Sequence, residues 1–307
     1  MASPLITLNN GEKIPAVGLG TYESNPSAVE AALRKGYRHL DCAWAYSNEK
    51  EVGEGLRASG VRRSEVYITS KVWSTYHRRV EESLDETLAN LGTDYLDLFL
   101  IHWPVAMHPH EGAISMPSRK HGRLIDESRE LKDTWKDMEA MVKKGKVRSI
   151  GVSNFSEMML EKILPTAEIV PAVNQLELHL YNPQLKLVEY LKSKTIVPQA
   201  FSPLGSKNSP LHADETAGAI AQKYGLQTSD VLLGYLLAKD IVVVPKSVTP
   251  ARIESNFTGA LAALQKLTPE DIAVLDGVAA GGKQKRLIVA PWGIDLGFDN
   301  WPVQGLL

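Results

Sequence analysis

Four residues set the chemistry this 307-residue chain can do. Asp41 ends a short apolar run, and Tyr46 follows one short loop later. A second run, 66–70, stops at Lys71, and a third, 95–101, stops at His102. An ionised carboxylate on a buried strand is costly unless a cation compensates it. A phenol has a pKa of ~10 and is a poor acid at neutral pH, but a nearby ammonium stabilises its phenolate and lowers that value. The carboxylate in turn keeps the lysine charged and oriented. A histidine at the same mouth can donate a hydrogen bond to a carbonyl oxygen. Together the four are equipment for giving a proton to an oxygen that is gaining charge, as in carbonyl reduction. Singly, each reads better as a chance polar residue at a strand end; jointly the balance reverses.

What would join them is a parallel barrel, which brings the C-terminal ends of its strands to one face. The pattern supports one. Apolar runs 5–8 and 13–17 flank Asn9-Asn10-Gly11, a hairpin signal. Strands are then expected over 17–21, 38–41, 66–70, 95–101, 147–151, 171–175, 196–199 and 241–244. Helices are expected over 26–35, 48–59 (capped by Asn48), 78–91, 131–144, 156–164 (capped by Ser156), 183–194, 215–224, 229–238, 251–264 and after Pro269. Regular strand–helix alternation demands parallel strands with helical crossovers, and eight strands favour a closed (β/α)8 TIM barrel over an open sheet. Residues 1–307 read as a single α/β domain with an N-terminal β-hairpin and an irregular C-terminal tail.

Composition narrows the partners. A net charge of -2 and a pI near 6.5 offer no basic field for nucleic acid or a membrane surface. The cluster Lys143-Lys144-Gly145-Lys146 reads as a charged helix end. One cysteine, Cys42, excludes an internal disulfide and fits a reducing compartment. With neither a signal-like start nor an apolar run of spanning length, a cytoplasmic location is expected, and the sequons at Asn154 and Asn256 are expected to be unused.

The chain resembles the aldo-keto reductases along nearly its whole length. The resemblance rests on Leu40-Asp41 with Tyr46-Ser47-Asn48-Glu49, on Ile68-Thr69-Ser70-Lys71-Val72-Trp73, and on Leu100-Ile101-His102-Trp103-Pro104. It continues through Gly151-Val152-Ser153-Asn154-Phe155, Asn174-Gln175, Ser202-Pro203-Leu204-Gly205 and Val244-Pro245-Lys246-Ser247-Val248. It implies a catalytic tetrad of Asp41, Tyr46, Lys71 and His102, with Tyr46 as general acid. It implies NADPH/NADP+ as cofactor, bound without a Rossmann domain. Thr21, Tyr22, Ser153, Asn154, Gln175 and Phe201 would surround the nicotinamide, and Ser202, Leu204 and Ser206 the pyrophosphate. Lys246, Ser247 and Arg252 would meet the 2′-phosphate, Asn256 the adenine, and Val248 would also touch the cofactor. Two cations six residues apart, Lys246 and Arg252, independently suit a phosphomonoester. The sequence departs from the family at Phe201, where a tyrosine is usual, and at Ser255, where a glutamate often stands near the adenine.

A small carbonyl compound is the implied substrate, met by Tyr22, Trp73, His102, Trp103 and Trp292. The tail resembles those of microbial aldehyde, glyceraldehyde and polyol reductases. Tyr22, Trp44, Trp73 and Trp103 all fall just past strand ends and are expected to form an apolar wall. Three signals are set aside. Gly53-Glu54-Gly55-Leu56-Arg57-Ala58 spells a dinucleotide fingerprint but lies in a helical pattern with no strand before it. His108-Pro109-His110-Glu111 has metal-ligand spacing without a second ligand set, so no metal is expected. Cys42 reads as packing. The alternative to an enzyme is a slow-turnover, cofactor-binding redox-sensing subunit. A barrel hydrolase would want two facing carboxylates or a metal set, and neither is evident.

Overall fold

In a computed structural model, which describes residues 2–109, 125–290 and 294–301, the alternation closes into an eight-stranded parallel barrel. The hairpin comes first: β1 (Leu5–Thr7) pairs antiparallel with β2 (Lys13–Pro15), and Gly11 takes φ +88° in its turn. The barrel strands are β3 (Leu19–Gly20), β4 (His39–Asp41), β5 (Tyr67–Val72), β6 (Leu96–Ile101), β7 (Val147–Ser153), β8 (Val173–Glu177), β9 (Val197–Phe201) and β10 (Val242–Val243). They lie side by side in chain order. The ring closes where Val17 bridges Val243 and Gly20 bridges Lys246, both parallel. That seam is close: a Cβ on Gly20 would come within 2.8 Å of the Val244 carbonyl oxygen. Leu8 and Ile14 of the hairpin bury against Tyr67, Leu98, Leu100 and Val173. The hairpin thus stops one end of the barrel and leaves the C-terminal end for a site.

The helices are α1 (Pro26–Arg34), α2 (Glu49–Ser59), α3 (Val80–Leu91), α4 (Leu131–Lys143), α5 (Glu157–Leu160), α6 (Leu185–Ser193), α7 (Glu215–Tyr224), α8 (Thr228–Leu237), α9 (Pro250–Lys266) and α10 (Pro269–Val278). Gly53 and Gly55 lie inside α2. A Cβ on Gly53 would meet the Leu91 carbonyl at 2.3 Å, and one on Gly55 the Pro26 carbonyl at 2.5 Å. These glycines let α2 press against α1 and α3, which explains the fingerprint-like letters without a nucleotide.

Three local expectations need correction. Lys71 lies within β5, not beyond it, and β7 and β8 run on through Ser153 and Glu177. Polar residues at these ends still carry the ladder because they turn inward and find partners. The helix after Ser156 ends at Leu160, not 164. Pro165 follows; its ring clashes with the carbonyl four residues back and cannot continue the helix. Asn48 occupies the start of α2 but does not cap it with its side chain. Its amide donates instead to the carbonyls of Thr21 (2.7 Å) and Ser24 (3.0 Å), tying the loop after β3 to α2.

Candidate active site

Strand order places β4, β5 and β6 side by side, so Asp41, Lys71 and His102 reach one rim. Lys71 is fully buried. Its Nζ donates to Asp41 Oδ2 at 2.9 Å and to the Cys42 carbonyl at 2.7 Å. From the far side of the barrel, Gln175 Nε2 donates to Asp41 Oδ1 at 2.6 Å. Thr21 Oγ1 donates to the Asp41 carbonyl at 2.9 Å. The carboxylate therefore has a cation on one oxygen and an amide on the other, as a buried charge requires.

Tyr46 sits in a tight turn, Trp44–Tyr46, closed by Ser47 at φ +55°. Lys71 Nζ lies 5.3 Å from the centre of its ring. The Tyr46 ring meets Tyr22 edge-on at 5.2 Å and His102 at 5.8 Å. His102 is also flanked by Trp73 at 5.2 Å and, stacked, by Trp103 at 6.4 Å. Its buried Nδ1 has no hydrogen-bond partner among the described residues.

Burial sets the titration of this cluster. It pulls Lys71 down, but Asp41 and then Tyr46 more than offset it, so the ammonium is held above its usual range. Burial pushes Tyr46 up, and Lys71, through its charge and a hydrogen bond, opposes without overcoming it. This corrects the expectation of a lowered phenol. Burial is the largest influence, and the Asp41 charge acts in the same direction. His102 is pushed well below its ordinary value by burial first and by Lys71 second, so it is neutral at physiological pH. The Cys42 thiol is likewise driven up by burial, consistent with packing alone.

The other expected residues fall around the same rim. Ser153 ends β7 and donates to the Gln175 carbonyl at 2.9 Å. Asn154, at φ +63°, donates through Nδ2 to the His102 carbonyl at 3.0 Å. With both side-chain amide nitrogens engaged, Asn154 and Gln175 offer oxygens, the acceptors a carboxamide NH2 needs. Phe201 ends β9, and Ser202 (φ +48°) opens the loop that carries Leu204, Gly205 (φ +77°) and Ser206. Lys246, Ser247 and Val248 follow β10, and Arg252 and Asn256 ride on the first turns of α9. The start of α9 has no side-chain cap and no acidic residue in its first turn. Such a terminus between Lys246 and Arg252 has the donor set for a phosphate. Lys246 meanwhile pairs with Glu23 at 3.5 Å.

Not every expected residue joins. Trp44 turns away: its Nε1 donates to Glu86 at 2.8 Å and its ring packs on Tyr76 at 4.9 Å. The aromatic wall therefore begins with Tyr22, Trp73 and Trp103 and is extended by Trp301 of the tail, 6.3 Å from Trp103. Trp292 lies outside the described residues, as do His110 and Glu111; His108 faces Asp126 at 3.7 Å. Among the described residues no group of three His, Cys, Asp or Glu could hold a metal ion. Two residues that the sequence did not single out, Glu177 and Arg286, form a buried pair at 3.5 Å beside this rim. The signal for Glu177 was present: like Asp41, it is a carboxylate at the end of a buried strand.

The Aldo/keto reductase family model matches residues 18–280. D-galacturonate reductase of Hypocrea jecorina is 43% identical, the match covering 98% of this chain and 99% of the relative. Glycerol 2-dehydrogenase (NADP(+)) of Saccharomyces cerevisiae is 38% identical over 95% of this chain and 96% of its own. Among solved structures, aldose reductase from Schistosoma japonicum superposes with a TM-score of 0.87 at 37% identity, covering 98% of this chain and 99% of that one.

Proposed function

The chain belongs to the aldo/keto reductase family, and from that premise we propose that it reduces small aldehydes and ketones to alcohols, reversibly and with NADPH, using Tyr46 as general acid. The observation that carries this is the half-buried Tyr46 phenol set against the buried Lys71–Asp41 pair, with the His102 ring 5.8 Å away. The names of two relatives, a galacturonate reductase and a glycerol dehydrogenase, extend the proposal to small polyhydroxylated carbonyl compounds. The same reading takes residues 1–307 as one domain acting as a cytoplasmic monomer; no described helix is long and apolar enough to cross a membrane.

When bound, the nicotinamide supplies the hydride. Ser153, Asn154 and Gln175 would hold its carboxamide, and Phe201 would stack on its ring; Thr21 and Tyr22 border it. Ser202, Leu204 and Ser206 would line the pyrophosphate. Lys246, Ser247 and Arg252, at the uncapped start of α9, would take the 2′-phosphate, with Asn256 at the adenine and Val248 also touching the cofactor. On the carbonyl side, neutral His102 donates its ring N–H to the oxygen, and Tyr22, Trp73 and Trp103 enclose the carbon chain. As charge grows on the oxygen, Tyr46 gives up its proton. An alkoxide is far more basic than a phenolate, so a raised phenol still transfers it downhill. Lys71 stabilises the phenolate left behind, Asp41 keeps Lys71 charged, and solvent returns the proton.

Tyr46→Phe keeps the ring and removes the proton. NADPH consumption with a simple aldehyde should fall by at least about 10²–10⁴-fold while the NADPH dissociation constant stays unchanged. Near-normal turnover in this variant would rule out the assignment.

A further inference from the structure

We propose that Glu177 is a positioning residue that holds tail residues 283–290 and 294–301 over the barrel mouth by neutralising Arg286, so that losing its carboxylate while Arg286 stays charged displaces the substrate wall built from Trp103, Phe298 and Trp301. The proposal rests on the reductase reading for the word substrate, and on geometry for the clamp.

Glu177 ends β8, two residues beyond Gln175, and is wholly buried. Its carboxylate accepts three hydrogen bonds and faces one guanidinium. Oε1 takes the Leu287 backbone N–H at 2.6 Å and the His179 ring Nε2–H at 2.9 Å. His179 Nδ1 accepts the Tyr181 N–H, which fixes the proton on Nε2. Oε2 takes the Ile288 N–H at 3.1 Å and faces Arg286 Nη1 at 3.5 Å. Three consecutive tail residues therefore converge on one strand carboxylate.

Arg286 passes the constraint outward. Its side chain is 4% exposed, and its guanidinium lies over the rings of Phe298 at 4.5 Å and Trp301 at 5.4 Å. Trp301 in turn packs against Trp103, next to His102. Remove the carboxylate and Arg286 becomes an uncompensated buried cation, while two backbone N–H groups lose their acceptor. The cheapest relief is for the tail to lift. Other ties flank residues 286–288: Lys283 to Asp214, Gln284 and Asn300 to Asn182, the Lys285 N–H to the Tyr181 carbonyl, and Ser156 to the Leu296 carbonyl.

The test compares the intact protein with Glu177→Gln and with the double variant Glu177→Gln/Arg286→Met. Trypsin can cut after Arg286 only when that side chain leaves its pocket, so cleavage there, followed by mass spectrometry, reads the clamp without substrate or cofactor. Glu177→Gln should speed that cleavage by about tenfold or more, since breaking one side of a buried pair costs far more than that ratio requires. An apolar wall distinguishes substrates by about 10–200-fold, so KM for a carbonyl compound should rise about tenfold or more with kcat little changed. NADPH binding should be retained, which also shows that the variant folds. The double variant, which cannot be cut after residue 286, should recover most of the KM, because no buried charge is left unpaired. Unchanged cleavage and KM in Glu177→Gln, or a double variant no better than the single, would overturn the clamp. Absence of turnover in the intact protein would instead sink the reductase reading and leave the cleavage rate to decide.

Discussion

Consider the removal of charge from the Asp41–Lys71 pair by two routes. Lys71→Met deletes the ammonium outright. With Nζ 5.3 Å from the Tyr46 ring centre, its attraction for the developing phenolate is about 3 kcal/mol at an effective dielectric of about 20. That converts to a loss of about 200-fold in kcat. Asp41→Asn acts indirectly. Lys71 is fully buried, burial is the largest influence on it, and that influence is downward. Asp41 is the first of the groups that offset it. Without the carboxylate the lysine pKa falls, and the ammonium is lost at a lower pH than in the parent.

The two variants then part company as pH is lowered. In Asp41→Asn the lysine regains its proton below its new pKa, so kcat for reduction should climb back toward the parent value. In Lys71→Met nothing titrates to restore the charge, and the deficit should stay flat. Steady-state kcat across pH, with NADPH and a simple aldehyde, reads both. An Asp41→Asn defect as large in acid as in alkali, or no defect at all at alkaline pH, would refute the view that Asp41 acts through Lys71.

Two further outcomes follow from the same geometry. Lys246→Ala should weaken NADPH by about 10–100-fold, the worth of a charge-assisted hydrogen bond, and leave NADH unchanged; fluorescence titration with both cofactors checks it, and equal losses would remove the 2′-phosphate role. Burial holds His39 at about 4 and His77 at about 3, against 6.5 for an ordinary histidine. The unfolded chain therefore binds more protons below 6.5, and stability must fall as pH drops through the window from 6.5 to 4. Each histidine contributes about 1.4 kcal/mol per pH unit, or about 4 kcal/mol for both by about pH 5. Urea midpoints at about pH 7 and about pH 5 measure this, and equal midpoints would contradict it.

Much of the architecture was legible because the signals are local. Strand–helix alternation counts itself, and Asn9-Asn10-Gly11 announces its own turn. The mouth was legible because parallel strands force their ends together, which unites Asp41, Lys71 and His102 without knowledge of any angle. What escaped depends on direction or on distant partners. Trp44 is one residue among several past strand ends, and only the position of Glu86 on α3 shows that its indole faces away. The end of β5 was misplaced because a lysine looks like a strand terminator until its partner is known. The sign of the shift at Tyr46 required knowing how deeply the phenol is buried, since burial outweighs the nearby ammonium.

Glu177 shows how the rule that found Asp41 could have gone further. Both carboxylates end buried strands, and each must have a cation. For Asp41 the cation comes from the adjacent strand, so the pair forms whenever the barrel forms, and its stability is that of the barrel. For Glu177 the cation and two backbone donors come from the tail. That pair exists only when residues 283–290 are docked, so its free energy holds that segment in place and not the barrel. On the proposed reading, a protein with this arrangement would keep its proton-delivery group on the barrel and its substrate wall on the docked tail. Changes that alter the tail, such as at Phe298 or Trp301, can then redirect substrate choice without disturbing Lys71 and Tyr46.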